Sequence, residues 1–218
     1  MAEKYRKLEE LLKKYPILAE CKKEIVEATE LLINCFSGQG KLLVCGNGGS
    51  AADSDHIVCE LMKEFCIRRK LPESIKEKLR GTGGEELSGK IRGALPAISL
   101  DAHTGLNTAM INDVGAEYMY AQQVYGYGRP GDVLIGISTS GKAVNVDNAV
   151  KTAKALGIGT ILFTGKDGGR IKESAVISIR LPDSETYRIQ ELTLPLYHAL
   201  CLQLEDFFWG EPFSSDGL

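Results

Sequence analysis

Residues 41–60, KLLVCGNGGSAADSDHIVCE, constrain this chain more than any other stretch. Lys41–Cys45 is a short apolar run of strand character, and Gly46-Asn47-Gly48-Gly49 is a tight turn. Helical spacing begins at Ser50, a suitable N-cap. A strand that runs through a glycine turn into a helix makes a cradle for an anion. The loop amides point outward, and the helix dipole adds roughly half a positive charge. His56 and Glu60 stand four apart on the same helix and share one face. That spacing suits half of a divalent metal site, an acid–base pair or a solvated ion pair. The chain has three histidines, His56, His103 and His198, so each position is informative.

With 218 residues, 44% of them hydrophobic, the chain has enough apolar material for one α/β domain with appendages. Its formal net charge of −3 leaves no global basic footprint, which argues against nucleic acid as the main ligand. No window approaches 18 consecutive apolar residues, so no membrane span is expected. The first residues, MAEKYRKLEELLKKY, lack the apolar core of a signal peptide, and a cytoplasmic location is expected. The six cysteines, at 21, 35, 45, 59, 66 and 201, lie in apolar segments without a CxxC pair. They read as reduced, buried thiols, neither a disulfide framework nor a cysteine zinc site.

Along the chain, residues 2–14 and 17–36 have the spacing of two amphipathic helices around Pro16. They form an N-terminal extension (1–36) before the main domain (37–218). Two long helices exceed what one sheet needs for cover, so their apolar faces are expected either in the core or in subunit contacts. The first sheet helix is expected to run over 50–66. Residues 64–95 form an excursion with a short helix from Pro72 to Arg80, a glycine break at 81–84 and another helical piece from Glu85. It is either a solvated surface feature or a rim over the site that offers Arg68, Arg69, Arg80 or Arg92 to a substrate anion. Strands follow at 97–100, 132–137, 159–164 and 175–181. Helical segments are expected at 102–111, 116–125 and 144–156, with a long closing helix to Phe208. Asn112-Asp113 reads as a turn or an N-cap between two of them. Strands separated by helices predict one parallel, doubly wound, five-stranded sheet with ligands at the strands' C-terminal ends.

Gly46-x-Gly48-x-x-Ala51 meets a loose dinucleotide fingerprint, but no acidic residue closes a second strand about 20 residues on. Residues 136–143, GISTSGKA, fall one residue short of a nucleotide P-loop, because Ala143 stands where a Mg²⁺-binding hydroxyl is required. What remains is Ser138-Thr139-Ser140 at a strand end before a helix. That suits a monophosphate, and an ordinary Ser/Thr turn is the competing reading. Gln190 and His198 lie eight apart in the last helix, about 12 Å of rise and out of angular alignment. Either Pro195 kinks that helix or one of the two residues serves a neighbouring subunit's site.

CGNGGSAADSDHIVCEL, GDVLIGISTSGKAVNV, LFTGKDGG and RIQELTLPLYHALC, in this order, resemble the sugar isomerase (SIS) domain family, and within it the phosphoheptose isomerases. The resemblance covers roughly 17–63 and 96–208. It implies a flavodoxin-like α/β sandwich, a homotetramer with sites between subunits, and isomerisation of sedoheptulose 7-phosphate to a heptose 7-phosphate. By matched position it implies a zinc site at His56, Glu60, Gln190 and His198, with Glu60 and His198 also the acid–base pair. It further implies substrate contacts at Asn47, Gly48, Ser50, Asp113, Ser138, Thr139, Ser140 and Gln190. The chain departs from the family at Ala143, where a further serine is frequent, and at Glu64, where an arginine is common and Arg68 or Arg69 could substitute. Thr193 replaces a frequent histidine, and the 64–95 excursion is long. These departures leave the reaction type standing and the sugar open. The alternatives are a non-catalytic SIS-type module that binds a replication initiator or senses phosphosugars, and an isomerase or lyase for another phosphosugar.

Overall fold

The computed structural model describes residues 4–210. Its strands are β1 (Leu42–Cys45), β2 (Ala97–Ser99), β3 (Val133–Ile137), β4 (Gly159–Gly165) and β5 (Ile177–Leu181). They form one all-parallel sheet in the order β2-β1-β3-β4-β5. The expected fold class is the observed one. The strands read as unbroken apolar runs because both sheet faces are covered. Leu42 and Val44 point into the core on one face, and Leu43 and Cys45 into the core on the other.

The first face is covered by α1 (Arg6–Lys14), α2 (Lys22–Ser37), α3 (Gly49–Met62) and α9 (Thr186–Trp209). The second is covered mainly by α7 (Met119–Tyr127) and α8 (Val144–Ala155). α6 (Thr104–Asp113) buries only Asn107. The excursion carries α4 (Glu73–Gly81) and α5 (Glu85–Lys90). Among the described residues no helix is long and apolar enough to cross a membrane.

Several expected boundaries move. Residues 16–21 form a 3₁₀ turn, because Pro16 can open a helix but donates no N–H to one, and α2 starts only at Lys22. Leu8, Leu11, Leu18, Cys21, Ile25, Ala28 and Leu32 are buried in this chain's own core. The apolar faces of the N-terminal helices are therefore used here and are not surplus. Ile17 is exposed in this segment, and a denser group of exposed apolar side chains lies on and beside α6: Leu106, Ile111, Val114 and Tyr118.

α3 ends at Met62 and not at 66. The N–H groups of Phe65, Cys66 and Ile67 turn instead to the Glu205 carboxylate, at 2.8, 2.8 and 2.9 Å. Asn112 and Asp113 finish α6 and do not form a separate turn. α9 runs as one helix through Pro195. All six cysteines are free, but Cys59 and Cys66 are exposed, contrary to the expectation of uniform burial.

Candidate functional site

The order β2-β1-β3-β4-β5 reverses direction between β1 and β3. In such a sheet the crevice outside the C-terminal ends of those two strands is the natural ligand position. Both loops singled out in the sequence open there. Their contact is direct: Asn47 Nδ2 donates to Asn145 Oδ1 at 2.9 Å, and Asn145 Nδ2 donates back to Asn47 Oδ1 at 2.8 Å. Asn47, Gly48 and Gly49 are exposed.

The glycine loop is held from below. The Tyr120 hydroxyl lies against both the Gly46 carbonyl and the Asp101 carboxylate, and Gly46 N–H donates to Asp101 Oδ2 at 3.3 Å. Burial raises Asp101 above the usual carboxylate range, against the Tyr120 and Gly46 hydrogen bonds that lower it. Sequence reasoning missed Asp101, Tyr120 and Asn145, since each lies far along the chain from the loop it supports. Asp101 alone left a trace, an acid just beyond a strand end.

Gly48, at φ +59°, is the residue before the helix, so α3 starts at Gly49 and Ser50 is not the N-cap. Ser50 is buried inside the first turn, and its carbonyl accepts from the Ser54 hydroxyl. Within that turn Ser50 N–H donates to the Asn47 carbonyl and Ala51 N–H to the Gly48 carbonyl, at 3.1 and 3.0 Å, so the attraction for an anion rests on the exposed glycine loop and the helix dipole.

In the second loop Ser138 is buried, Thr139 half-buried and Ser140 exposed. The loop folds back on Gly168-Gly169 so closely that a Cβ on Gly141 (φ +60°) would lie 2.1 Å from the Gly168 carbonyl oxygen. This contact explains the conjunction of TSG and KDGG in the sequence: two glycine turns meet backbone to backbone.

A second group of side chains gathers farther along α3, where α9 packs on it. His56 Nε2 is 3.1 Å from Glu60 Oε1, and His56 Nδ1 is 2.8 Å from the Tyr197 hydroxyl. In the tautomer whose Nε2–H donates to Glu60, Nδ1 is left to accept from Tyr197. The Tyr197 hydroxyl also lies 3.3 Å from Asp53 Oδ1, so its one proton is shared between that carboxylate and His56 Nδ1, and Lys63 donates to Glu60 Oε2 at 3.2 Å. The His198 ring lies 5.0 Å from that of His56, edge to face. Burial, then the neighbouring His56, hold His198 below the usual imidazole range against the pull of Glu60. Tyr197 and Asp53 were missed in the sequence. Asp53 sits three residues before His56 on the same helical face, a signal that was there to read.

The expected metal ligands are divided between two turns of α3. His56, Glu60 and His198 come together. Gln190 lies against the first residue of α3, where a Cβ on Gly49 would meet its Nε2 at 2.6 Å. Among the described residues no three His, Cys, Asp or Glu side chains of this one chain stand close enough together to hold an ion. The donors fit zinc in kind, two imidazoles and a carboxylate, and His198 Nε2 is buried with no hydrogen-bond partner.

Asp113 is exposed at the end of α6, where it accepts from Asn112 Nδ2 at 2.7 Å, and it does not join either group within this chain. Of the four arginines expected as a rim, three are already paired and Arg68 is exposed. Arg69 is buried against Glu205, Arg80 pairs with Glu73, and Arg92 pairs with Glu64.

The SIS domain model matches residues 5–89 and 86–165. The phosphoheptose isomerase of Nitratiruptor sp. is 41% identical over 189 residues, 87% of this chain and 89% of the relative. That of Helicobacter pylori strain P12 is 38% identical over 182 residues, 84% of this chain and 83% of the relative. Among solved structures, the phosphoheptose isomerase of Neisseria gonorrhoeae superposes with a TM-score of 0.70 at 35% identity, covering 94% of each chain. That of Francisella tularensis gives 0.71 at 27% identity, over 91% of this chain and 98% of the other. A crevice at the β1/β3 reversal, two interlocked loops and matches over most of the chain agree: it belongs to the SIS domain family, among the phosphoheptose isomerases.

Proposed function

We propose that this protein interconverts sedoheptulose 7-phosphate and a heptose 7-phosphate. The observation that carries the reading is the pairing of a loop crevice suited to phosphate with a half-buried carboxylate–imidazole cluster on the same helix. The phosphate docks between the Gly48–Ser50 turn and Ser138–Ser140, where amides and hydroxyls donate to it. Glu60 takes the proton from C1 of the ketose and returns it to C2. His198, held neutral, handles the proton of the adjacent oxygens. Tyr197 and Asp53 fix the His56 ring, and through it the position of Glu60.

We assign a zinc ion to His56, Glu60 and His198, with the fourth donor, a Gln190, supplied by a neighbouring subunit, because this chain's own Gln190 lies at the head of α3. When bound, the ion supplies Lewis-acid polarisation of the substrate carbonyl. The orphaned His198 Nε2 supports this assignment. Gly49 and Glu60 are eleven residues apart on α3, roughly 16 Å of helix rise. That span favours phosphate loops of one subunit served by the α3–α9 cluster of another, in a homotetramer. The exposed apolar side chains of α6 offer contact area, and a monomeric mass by light scattering would exclude the assembly.

The direct test is turnover of a ketose-phosphate panel, with and without zinc, in deuterated water. Solvent deuterium should enter the product carbon with sedoheptulose 7-phosphate, and sedoheptulose itself should not react. Equal turnover of both sugars would remove the role given to the loops.

A further inference from the structure

The α4–α5 excursion adds nothing to the core: neither helix buries a residue, and the two pack on each other. It joins the body at its feet. There Gly93 N–H donates to the Arg69 carbonyl at 2.9 Å, and Arg92 Nε lies 3.0 Å from Glu64 Oε2. Between hairpin and feet lies a cleft of about 370 Å³, within the range of small-ligand sites. Five cations line it: Arg68, Lys70, Lys76, Arg80 and Arg92.

Residues 64–95 carry eight Lys and Arg against five Glu, a local charge of +3 in a chain of −3. Arg68 and Lys70 are exposed and form no ion pair among the described residues. Lys76 and Arg80 share the exposed carboxylate of Glu73, at 3.0 and 2.8 Å. Exposed pairs of that kind contribute little and yield readily to a stronger anion. Guanidinium groups present forked donors that match phosphate oxygens. The cleft follows the C-terminal end of α3, and the glycine loop precedes its other end, about 20 Å away along the helix.

We infer that this cleft is a second anion site, which binds a small ligand with a diphosphate group and draws the hairpin onto the body. One phosphate would meet the two unpaired cations, and a second would displace Glu73 from Lys76 and Arg80, while Arg92 stays with Glu64 and holds the foot of the hairpin. The chain's single tryptophan, Trp209, touches Gly93 at the foot of the hairpin, where a Cβ would come within 3.0 Å of its ring, so ligand binding has a built-in reporter.

The test is titration of the full-length protein with inorganic pyrophosphate at about 0.15 M salt, where surface charge is largely screened, read by calorimetry and Trp209 fluorescence. Saturable binding is expected. An Arg68→Ala/Lys70→Ala double variant should weaken it at least tenfold, and Arg80→Ala more mildly. Ser140→Ala should leave it intact. Without pyrophosphate, the double variant should turn over phosphosugar as the wild type does. Absence of saturation at millimolar pyrophosphate would overturn the proposal. So would binding lost in Ser140→Ala but kept in the double variant, or a raised KM for phosphosugar in the double variant, which would place the cleft in the substrate site.

Discussion

Two carboxylates on the seam between α3 and α9 lie in opposite surroundings. Glu205 is completely buried, and four donors meet it: the amides of Phe65, Cys66 and Ile67, and Arg69 Nε at 2.7 Å. Arg69 in turn donates to the Leu61 and Glu60 carbonyls at 2.6 and 2.7 Å and stacks on Trp209. No donor or acceptor of that pair looks outward. Glu60 is held by a half-exposed histidine and an exposed lysine, beside an imidazole nitrogen with no partner. The first arrangement is complete and stabilises the end of α3. The second is left unfinished, as a group that must exchange a proton or take a ligand has to be. Because Arg69 grips the Glu60 carbonyl, the finished cluster also fixes the backbone of the unfinished one.

The contrast breaks most visibly at Glu60. Glu60→Gln should lower turnover by about 10²–10⁴-fold, the usual contribution of an acid–base step, and leave thermal stability near that of the wild type. A stability loss comparable to that of a Glu205 variant would erase the distinction. Glu205→Ala should do the reverse. Leaving Arg69 buried and unpaired costs about 3–5 kcal/mol, read as a lower denaturation midpoint at unchanged denaturant slope.

Acid sharpens the same comparison. Burial pushes Glu205 up, but the three amides and Arg69 outweigh it and hold its carboxyl below the usual range. A depressed carboxylate contributes stability above its unfolded value of about 4.3, and that contribution fades as pH falls through the lower folded value. The stability gap between wild type and Glu205→Gln should therefore be full at pH 6, narrow once pH falls below about 4.3, and close only beneath the lower folded value, which chemical denaturation across pH would measure. The smallest effect is expected in the other half of the site. Ser140→Ala removes one hydrogen bond to a charged phosphate, worth about 1.5–3 kcal/mol, and should raise KM with little change in kcat.

Much of this was legible in the residues. Unbroken apolar runs between helical periods predicted five parallel strands, and the glycine turn at 46–49 and the hydroxyls at 138–140 predicted two loops at strand ends. The Arg69–Glu205 pair was not legible. Arg69 looked like one of several surface arginines, and only a partner 136 positions away makes it a buried anchor. The same pair shortened α3 from the expected 66 to Met62, by offering three amides a better acceptor than the next helical turn. Tyr120 and Asn145 escaped notice for the same reason, since nothing local ties them to the glycine loop.

The sequence by itself determined which elements form and which donors are available. Periodicity, glycine turns and His–Glu spacing act over a few residues, and no distant contact is needed to express them. The tertiary structure decided how those donors are grouped. It buried the N-terminal helices that looked spare, and it set His198 beside His56 while holding Gln190 at the head of α3. It also made one arginine structural and left its neighbour Arg68 facing a charged cleft. Those outcomes depend on which helices share a face of the sheet, and that is settled by packing between segments far apart in the chain.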